Sequence, residues 1–310
     1  MMLARVADSL YWLGRYAERA EHLSRLAAVM LNAALEQTHA ADQAERIALA
    51  AGGQPPLEDG DVLESAKLLV LDRNNSVSVV SSLASARENA RQIRDQITTE
   101  SWERLNLLYL RATGVGAEAA FAYDAADFLQ RIIADLHQFK GAAEATMSHG
   151  EGWRFMLTGV YMERALLIGR LLKVCFDEAT PVEDHVALVG LLRMACALEP
   201  YLRAYTADID ARNILEFLMF DEDFPRSVRF STERIQEYLA HLSGGRELGR
   251  HNPLRLAGRL NAKLAYADMD EVEAGGAGAL LAAVSAECAA IHAAIWETFV
   301  AYPLETRLPA

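Results

Sequence analysis

Apolar residues recur along most of this chain at alternating three- and four-residue steps, the period of a helix packed against neighbours. Leu10, Leu13, Ala17, Ala20, Ser24, Ala27 and Leu31 form the clearest seam, and its small members let a second helix approach closely. The spacing predicts a first helix capped by Asp8 or Ser9 and running to about Gln37. A short helix over Ala40–Ala51 is broken by Gly52-Gly53-Gln54-Pro55-Pro56. Another leads into the turn Leu71–Ser76, whose end caps a helix from Val77 to about Thr98. Thr98 or Thr99 caps the next helix, Gly114-Val115-Gly116 breaks it, and a long helix then runs to about Ser148. After His149-Gly150-Glu151-Gly152, an almost wholly apolar helix spans Trp153–Asp177 and stops before Thr180-Pro181. Shorter helices are expected over Asp184–Leu198, Tyr201–Thr206 and Asp210–Phe220. The acidic turn Asp221-Glu222-Asp223 opens another, which ends at Gly244-Gly245, and the last long helix covers roughly Ala279–Val300. No stretch alternates with the period of a strand, so the expected fold class is all-α, a helical bundle.

One pattern occurs twice. Gly14-Arg15-Tyr16-Ala17-Glu18-Arg19-Ala20 returns as Gly159-Val160-Tyr161-Met162-Glu163-Arg164-Ala165, and Arg25-Leu26 matches Arg170-Leu171 in the same register. A weaker match sets Asp223 and Ser227-Val228 at one common offset from Asp72 and Ser76-Val77. The expectation is a single domain over 1–310 built from two related helical halves, approximately 1–148 and 153–310.

Composition narrows the class. The 310 residues are 52% hydrophobic with only 8% aromatics, and alanine and leucine dominate, which favours helix over strand. A formal net charge of −13 argues against a general nucleic-acid binder, which needs a basic footprint. Three widely spaced cysteines, Cys175, Cys196 and Cys288, read as reduced thiols of a cytoplasmic protein. Arg5, Asp8, Arg15 and Glu18 interrupt any signal-peptide core, and Glu163, Arg164, Arg170 and Lys173 make Phe155–Phe176 a buried helix rather than a membrane span.

The charged residues of the repeated helix are the first candidates for chemistry. Arg15, Glu18, His22 and Arg25 share one stripe; its second copy reads Val160, Glu163, Leu167, Arg170. A charge in so apolar a helix must be paired, because an isolated buried ion costs several kcal/mol. One reading pairs Glu18 and Glu163 with Arg25, Arg170, Arg91 or Arg229 and gives them only a packing role. The other has carboxylates and arginines lining a cavity between helices. A di-metal site needs Glu-x-x-His on two helices, and Glu36–His39 has no mate. Asp221-Glu222-Asp223 could hold Mg²⁺, although acidic turns are more often caps. Arg87, Arg91 and Arg94 form a row suited to carboxylate or phosphate, against a solvated face paired with Glu88 and Asp95. Arg226, at a helix start, suits an anion. Nucleotide loops, the nucleophile elbow, Cys-x-x-Cys and His-Glu-x-x-His are all missing, so no cofactor or metal is expected.

Met2 to Glu21 resembles the opening signature of the bacterial alpha-E domain family. So do Ala86–Arg91 with Trp102-Glu103 and Asn106, Glu151-Gly152-Trp153 leading to Glu163-Arg164-Ala165, and Phe224–Val228. The resemblance implies an all-helical protein encoded beside circularly permuted ATP-grasp proteins, transglutaminase-like proteases and a proteasome-related peptidase. It thereby implies a role next to an amide-bond-forming enzyme in peptide synthesis or modification. Expected partners are an ATP-grasp protein, a transglutaminase-like protein, and a peptide or acidic small molecule, with no nucleic acid and no membrane. In the first of three readings the chain is an accessory partner. Glu18, Arg15, Arg19 and Arg87 line its substrate pocket, Glu88 and Arg91 belong to the substrate-binding set, and Glu163, Arg164 and Arg226 position it. In the second, Glu18 is a general acid or base with a raised pKa. In the third, the pairs only fix packing. The second copy has Val160 for Arg15 and Leu166 for Glu21, which puts equivalent sites in doubt and makes Glu18 the stronger candidate.

Overall fold

The computed structural model describes residues 2–36, 40–52, 62–176, 184–206, 208–244 and 252–301. Among them are fifteen α-helices and no strand. In order they are α1 (Ala4–Glu36), α2 (Ala40–Ala51), α3 (Val62–Leu71), α4 (Val79–Gln92), α5 (Thr99–Thr113), α6 (Ala117–Tyr123), α7 (Ala125–Thr146) and α8 (Glu151–Cys175). Then come α9 (His185–Met194), α10 (Leu198–Ala204), α11 (Ala211–Phe220), α12 (Val228–Ser243), α13 (Pro253–Ala265), α14 (Met269–Gly275) and α15 (Ala277–Ile295), the last extended by a wider turn over Trp296–Val300.

Two long helices, α1 and α8, form the axis of the molecule, and α4, α7, α12 and α15 pack around them. Contacts rise together in number, from Met2–Glu151 to Glu18–Arg164, so the two helices run side by side in the same direction. They cross at a pair of glycines. A Cβ on Gly14 would sit 2.0 Å from the Met156 carbonyl oxygen, and one on Gly159 would sit 2.0 Å from that of Tyr11. Each glycine therefore lies against the carbonyl three positions before the other glycine, and only hydrogen allows so close an approach. This crossing brings the two Glu-Arg dipeptides together.

Several elements differ from the sequence reading for identifiable reasons. α1 begins at Ala4, so Asp8 and Ser9 lie inside it rather than capping it. It is buried around most of its circumference, including Ser9, Arg15, Glu18, Glu21 and His22, so the single seam was too narrow a reading. The cap of α4 is Ser78, not Ser76; its side chain accepts from Ser81 N, as Ser227 accepts from Phe230 N at the start of α12. Asp72 accepts from Asn74 N at 2.8 Å and Asp221 from Asp223 N at 3.0 Å. The matching turns thus pair Asp72 with Asp221 and Ser78 with Ser227. α4 stops at Gln92 rather than Thr98, and the single long helix before Ser148 is two, because Asp124 ends α6 and caps α7. α13 and α14 were not foreseen. Thr98 does cap α5, and Gly244, in the left-handed region (φ 56°), ends α12. Thr180-Pro181, most of the Gly52–Pro56 break and His39 lie outside the described residues.

Among the described residues, Ala277–Val300 is the one continuous helix long and apolar enough to cross a membrane, and 33% of its apolar window is buried. Leu281, Val284, Cys288 and Ile291 supply that buried face. The run expected to be most apolar, α8, is a core helix with Leu171, Leu172 and Cys175 buried.

Candidate functional site: the crossed Glu-Arg cluster

Each Glu-Arg dipeptide binds the other. Arg164 Nε donates to Glu18 Oε1 at 2.7 Å, and its Nη2 to Oε2 at 3.0 Å. Arg19 Nε donates to Glu163 Oε1 at 2.6 Å, and Arg15 Nε to Glu163 Oε2 at 2.6 Å. Register on parallel helices causes the exchange: the glutamates face the partner helix, and each arginine, one position on, reaches across the glycine crossing.

Further elements close the Glu18 side. From α7, Lys140 Nζ donates to Glu18 Oε2 and Glu21 Oε2, both at 2.5 Å. From the turn before α12, Arg226 donates to Glu18 and Glu21. Arg25 grips Glu21 Oε1 through Nε and Nη2, and His137 of α7 stands 3.3 Å from the same oxygen. Arg164 Nη1 donates to the Pro225 carbonyl at 2.9 Å, tying α8 to the α12 turn. Cys196 stands at the edge, half-buried and with φ at 56°. Its thiol pKa is raised by burial, against the opposing charges of Arg226 and Arg25.

The Glu163 side is aromatic. Arg15 lies over Trp12 at 4.7 Å, Arg19 over Tyr16 at 5.3 Å, and Trp12 stacks on Tyr16 at 5.3 Å. Tyr11 hydroxyl lies 2.9 Å from His292 Nδ1, and the two rings stack. Arg15 Nη1, which can only donate, is 3.5 Å from that same nitrogen.

Burial alone would push the three carboxyls up. The cations win. Arg164, then Lys140 and Arg226, hold Glu18 well below the usual carboxylate range; Lys140, a hydrogen bond with His137, and Arg226 do so for Glu21, and Arg15 and Arg19 lower Glu163. The raised pKa expected for Glu18 is thus the opposite of what its surroundings produce. His22 is buried among these groups with its Nε2 unpaired; burial, then Arg226, push it down to about 4, so it is neutral near pH 7. Six cations (Arg15, Arg19, Arg25, Lys140, Arg164, Arg226) meet three carboxylates, leaving three positive charges in surplus.

Of the residues singled out in the sequence, Glu18, Arg15, Arg19, Glu163, Arg164 and Arg226 meet here. Arg87 does not: it donates to Asn106 at 2.7 Å and lies over Tyr109 and Trp102, between α4 and α5. Arg91 and Glu88 pair with each other on an exposed face. The arginines expected to pair with Glu18 and Glu163 are engaged elsewhere. Arg25 binds Glu21, Arg170 approaches the Ala51 carbonyl, and Arg229 binds Glu222 and Glu233. Arg226 turns its guanidinium inward, to Glu18 and Glu21. Asp221 caps its own turn through Asp223 N and Phe224 N. Among the described residues no three His, Cys, Asp or Glu are grouped to hold a metal. Lys140, His137 and His292 were missed. His137 and Lys140 share a face of α7, but that spacing on a solvated helix gives no signal by itself. A groove of about 640 Å³ between α5, α6 and α7 lies apart from the cluster.

A family profile, Alpha-E, described as a predicted alpha-helical domain with a conserved ER motif, matches residues 2–300. Glu18-Arg19 and Glu163-Arg164 are the Glu-Arg dipeptides of the crossed pair. Uncharacterized proteins of Mycobacterium bovis and of two Mycobacterium tuberculosis strains are each 26% identical to the chain over 316 positions. The match covers 94% of this chain and 35% of each relative, so the chain spans about a third of the length of the curated relatives it matches. No solved structure matches it.

Proposed function

The chain belongs to the Alpha-E family, and from that premise we propose that it is a helical partner module of an ATP-grasp amide-bond-forming enzyme. It receives an acidic peptide or small-molecule substrate at the crossed Glu-Arg cluster and leaves the chemistry to its partner. The observation that carries this reading is the surplus of three positive charges around three carboxylates, in a chain whose net charge is −13. Such a concentration of guanidinium groups suits carboxylate or phosphate. The lengths of the relatives fit a module that works beside other parts, since two thirds of each mycobacterial chain lies outside the matched region. The crossed ion pairs, glycine contacts and matching turns support two related halves. Arg15 and Glu21 have no charged counterpart in the second half, so the site is one composite site, not two equivalent ones. Three free thiols suit a reducing compartment such as the cytoplasm.

A depressed carboxyl pKa makes Glu18 a poor acid and a weak base at neutral pH, which speaks against the general acid–base reading. The packing-only reading keeps one specific support: on the Glu18 side, all three nitrogens of Arg164 are engaged. Co-purification with an ATP-grasp protein encoded beside this chain tests the proposal. Association at micromolar concentration or tighter, with binding of an acidic peptide to the complex, is expected; no association at that concentration contradicts it.

A further inference from the structure

The cluster is not equally saturated on its two sides. Around Glu18 and Glu21 most of the guanidinium donors are engaged: Arg164 uses Nε, Nη1 and Nη2, Arg226 uses Nη1 and Nη2, and Arg25 grips one oxygen through two nitrogens. Around Glu163 they are not. One carboxylate is divided between two arginines, and each binds it through Nε alone. Arg19 Nη1 and Nη2 have no partner among the described residues, and 19% of that side chain is exposed, so these donors reach solvent. Arg15 turns one terminal nitrogen toward His292, at a long 3.5 Å, and with 9% of its side chain exposed it is the more enclosed of the two, so Arg19 offers the outer donors.

These two guanidinium groups are also held in place. Trp12 lies under Arg15 and Tyr16 under Arg19, and the two rings stack on each other. Glu163 fixes both Nε edges from a buried position. A planar donor that is already oriented loses little freedom when it binds, so its contacts convert efficiently into affinity. One carboxylate against two guanidiniums leaves one positive charge at this spot.

We propose that Arg15 and Arg19 form a preorganised receptor for one oxyanion group of the substrate, a carboxylate or a phosphate, with Glu163 as its internal counter-charge. This rests on the reading that the cluster receives an acidic substrate, and it assigns the contact to the Glu163 side. The arginines act as binding residues, and Trp12 and Tyr16 as positioning residues.

The test is titration of the full chain in low-salt buffer with glutarate and, separately, inorganic phosphate, read by calorimetry and by the Nε–H resonances of the arginines. The expected result is saturable millimolar or tighter binding that shifts Arg15 and Arg19 Nε and leaves Arg164 unmoved. Arg19→Lys, which keeps the charge and loses the fork, should weaken it about tenfold or more. Saturation by glutarate alone assigns the group to a carboxylate, and by phosphate alone to a phosphate ester. Binding that Arg19→Lys leaves intact and Arg226→Lys abolishes would overturn the assignment while sparing the acidic-substrate reading. No binding of either probe would overturn both. If Arg19→Lys fails to fold, as judged by circular dichroism, the Nε shifts of the unaltered chain decide alone.

Discussion

Replacing Glu18 with Gln removes a charge and preserves the volume of the side chain. Arg226 and Lys140 keep Glu21, but Arg164 loses the carboxylate it grips through two nitrogens. Leaving one partner of a buried pair uncompensated costs about 3–5 kcal/mol. An unfolding entropy of about 2.1 cal/mol/K per residue over 310 residues makes 1 kcal/mol worth roughly 1.5 °C, so Tm should fall by about 5–8 °C. Arg164→Met should cost less, because Glu18 keeps Lys140 and Arg226. The double variant should recover part of the loss, with a coupling of about 2 kcal/mol, since it removes both members of the pair. Urea denaturation of the four proteins gives the cycle. A Glu18→Gln protein within about 1 kcal/mol of the parent, or strictly additive effects, would refute the claim that this crossed pair is a buried, coupled contact.

His22→Leu, which copies Leu167 of α8, should flatten the pH dependence of stability. His22 binds its proton at about 4 in the fold and near 6.5 when unfolded, so its contribution is full above pH 6.5 and falls by roughly 3 kcal/mol as pH drops toward 4; urea midpoints at successive pH values measure it. The depressed Glu18, Glu21 and Glu163 add a further loss below their unfolded values near 4.5. Gly159→Ala places a Cβ against the Tyr11 carbonyl and should cost about 3 kcal/mol or more by the same assay, because backbone on both sides must move. Arg87→Ala should leave glutarate and phosphate affinity unchanged in calorimetry, since Arg87 is committed to Asn106 and the α5 aromatics. Cys175 and Cys288, whose thiols burial pushes up to about 12, should resist iodoacetamide in the native chain at neutral pH, as peptide mass spectrometry would show.

The helical class and most element positions were legible because period and caps are local: Thr98, Asp184 and Asp210 each cap the helix they precede. The Glu-Arg repeat was legible as text, and it marks the crossing of α1 and α8. Its consequence was not, because parallel contact across two glycines is a tertiary fact, and so the partner of Glu18 is Arg164 rather than Arg25 on its own helix. Sequence spacing also could not show that Lys140 reaches in from α7 or His292 from α15. The pKa of Glu18 went the wrong way for a related reason. Burial was readable from the apolar helix, but the three cations that outweigh it come from three other elements. Arg87 illustrates the converse: its motif was readable, and its neighbours, Asn106, Trp102 and Tyr109, draw it to α5.

The most direct measurement is the steady-state kinetics of amide-bond formation by the proposed ATP-grasp partner on an acidic peptide, with and without this chain. Adding the chain should lower the KM for the acidic substrate, and Arg19→Lys should lose that effect with kcat unchanged. An unchanged KM on adding the chain, or a collapse of kcat with Glu18→Gln in a folded, bound complex, would contradict a receiving role without catalysis.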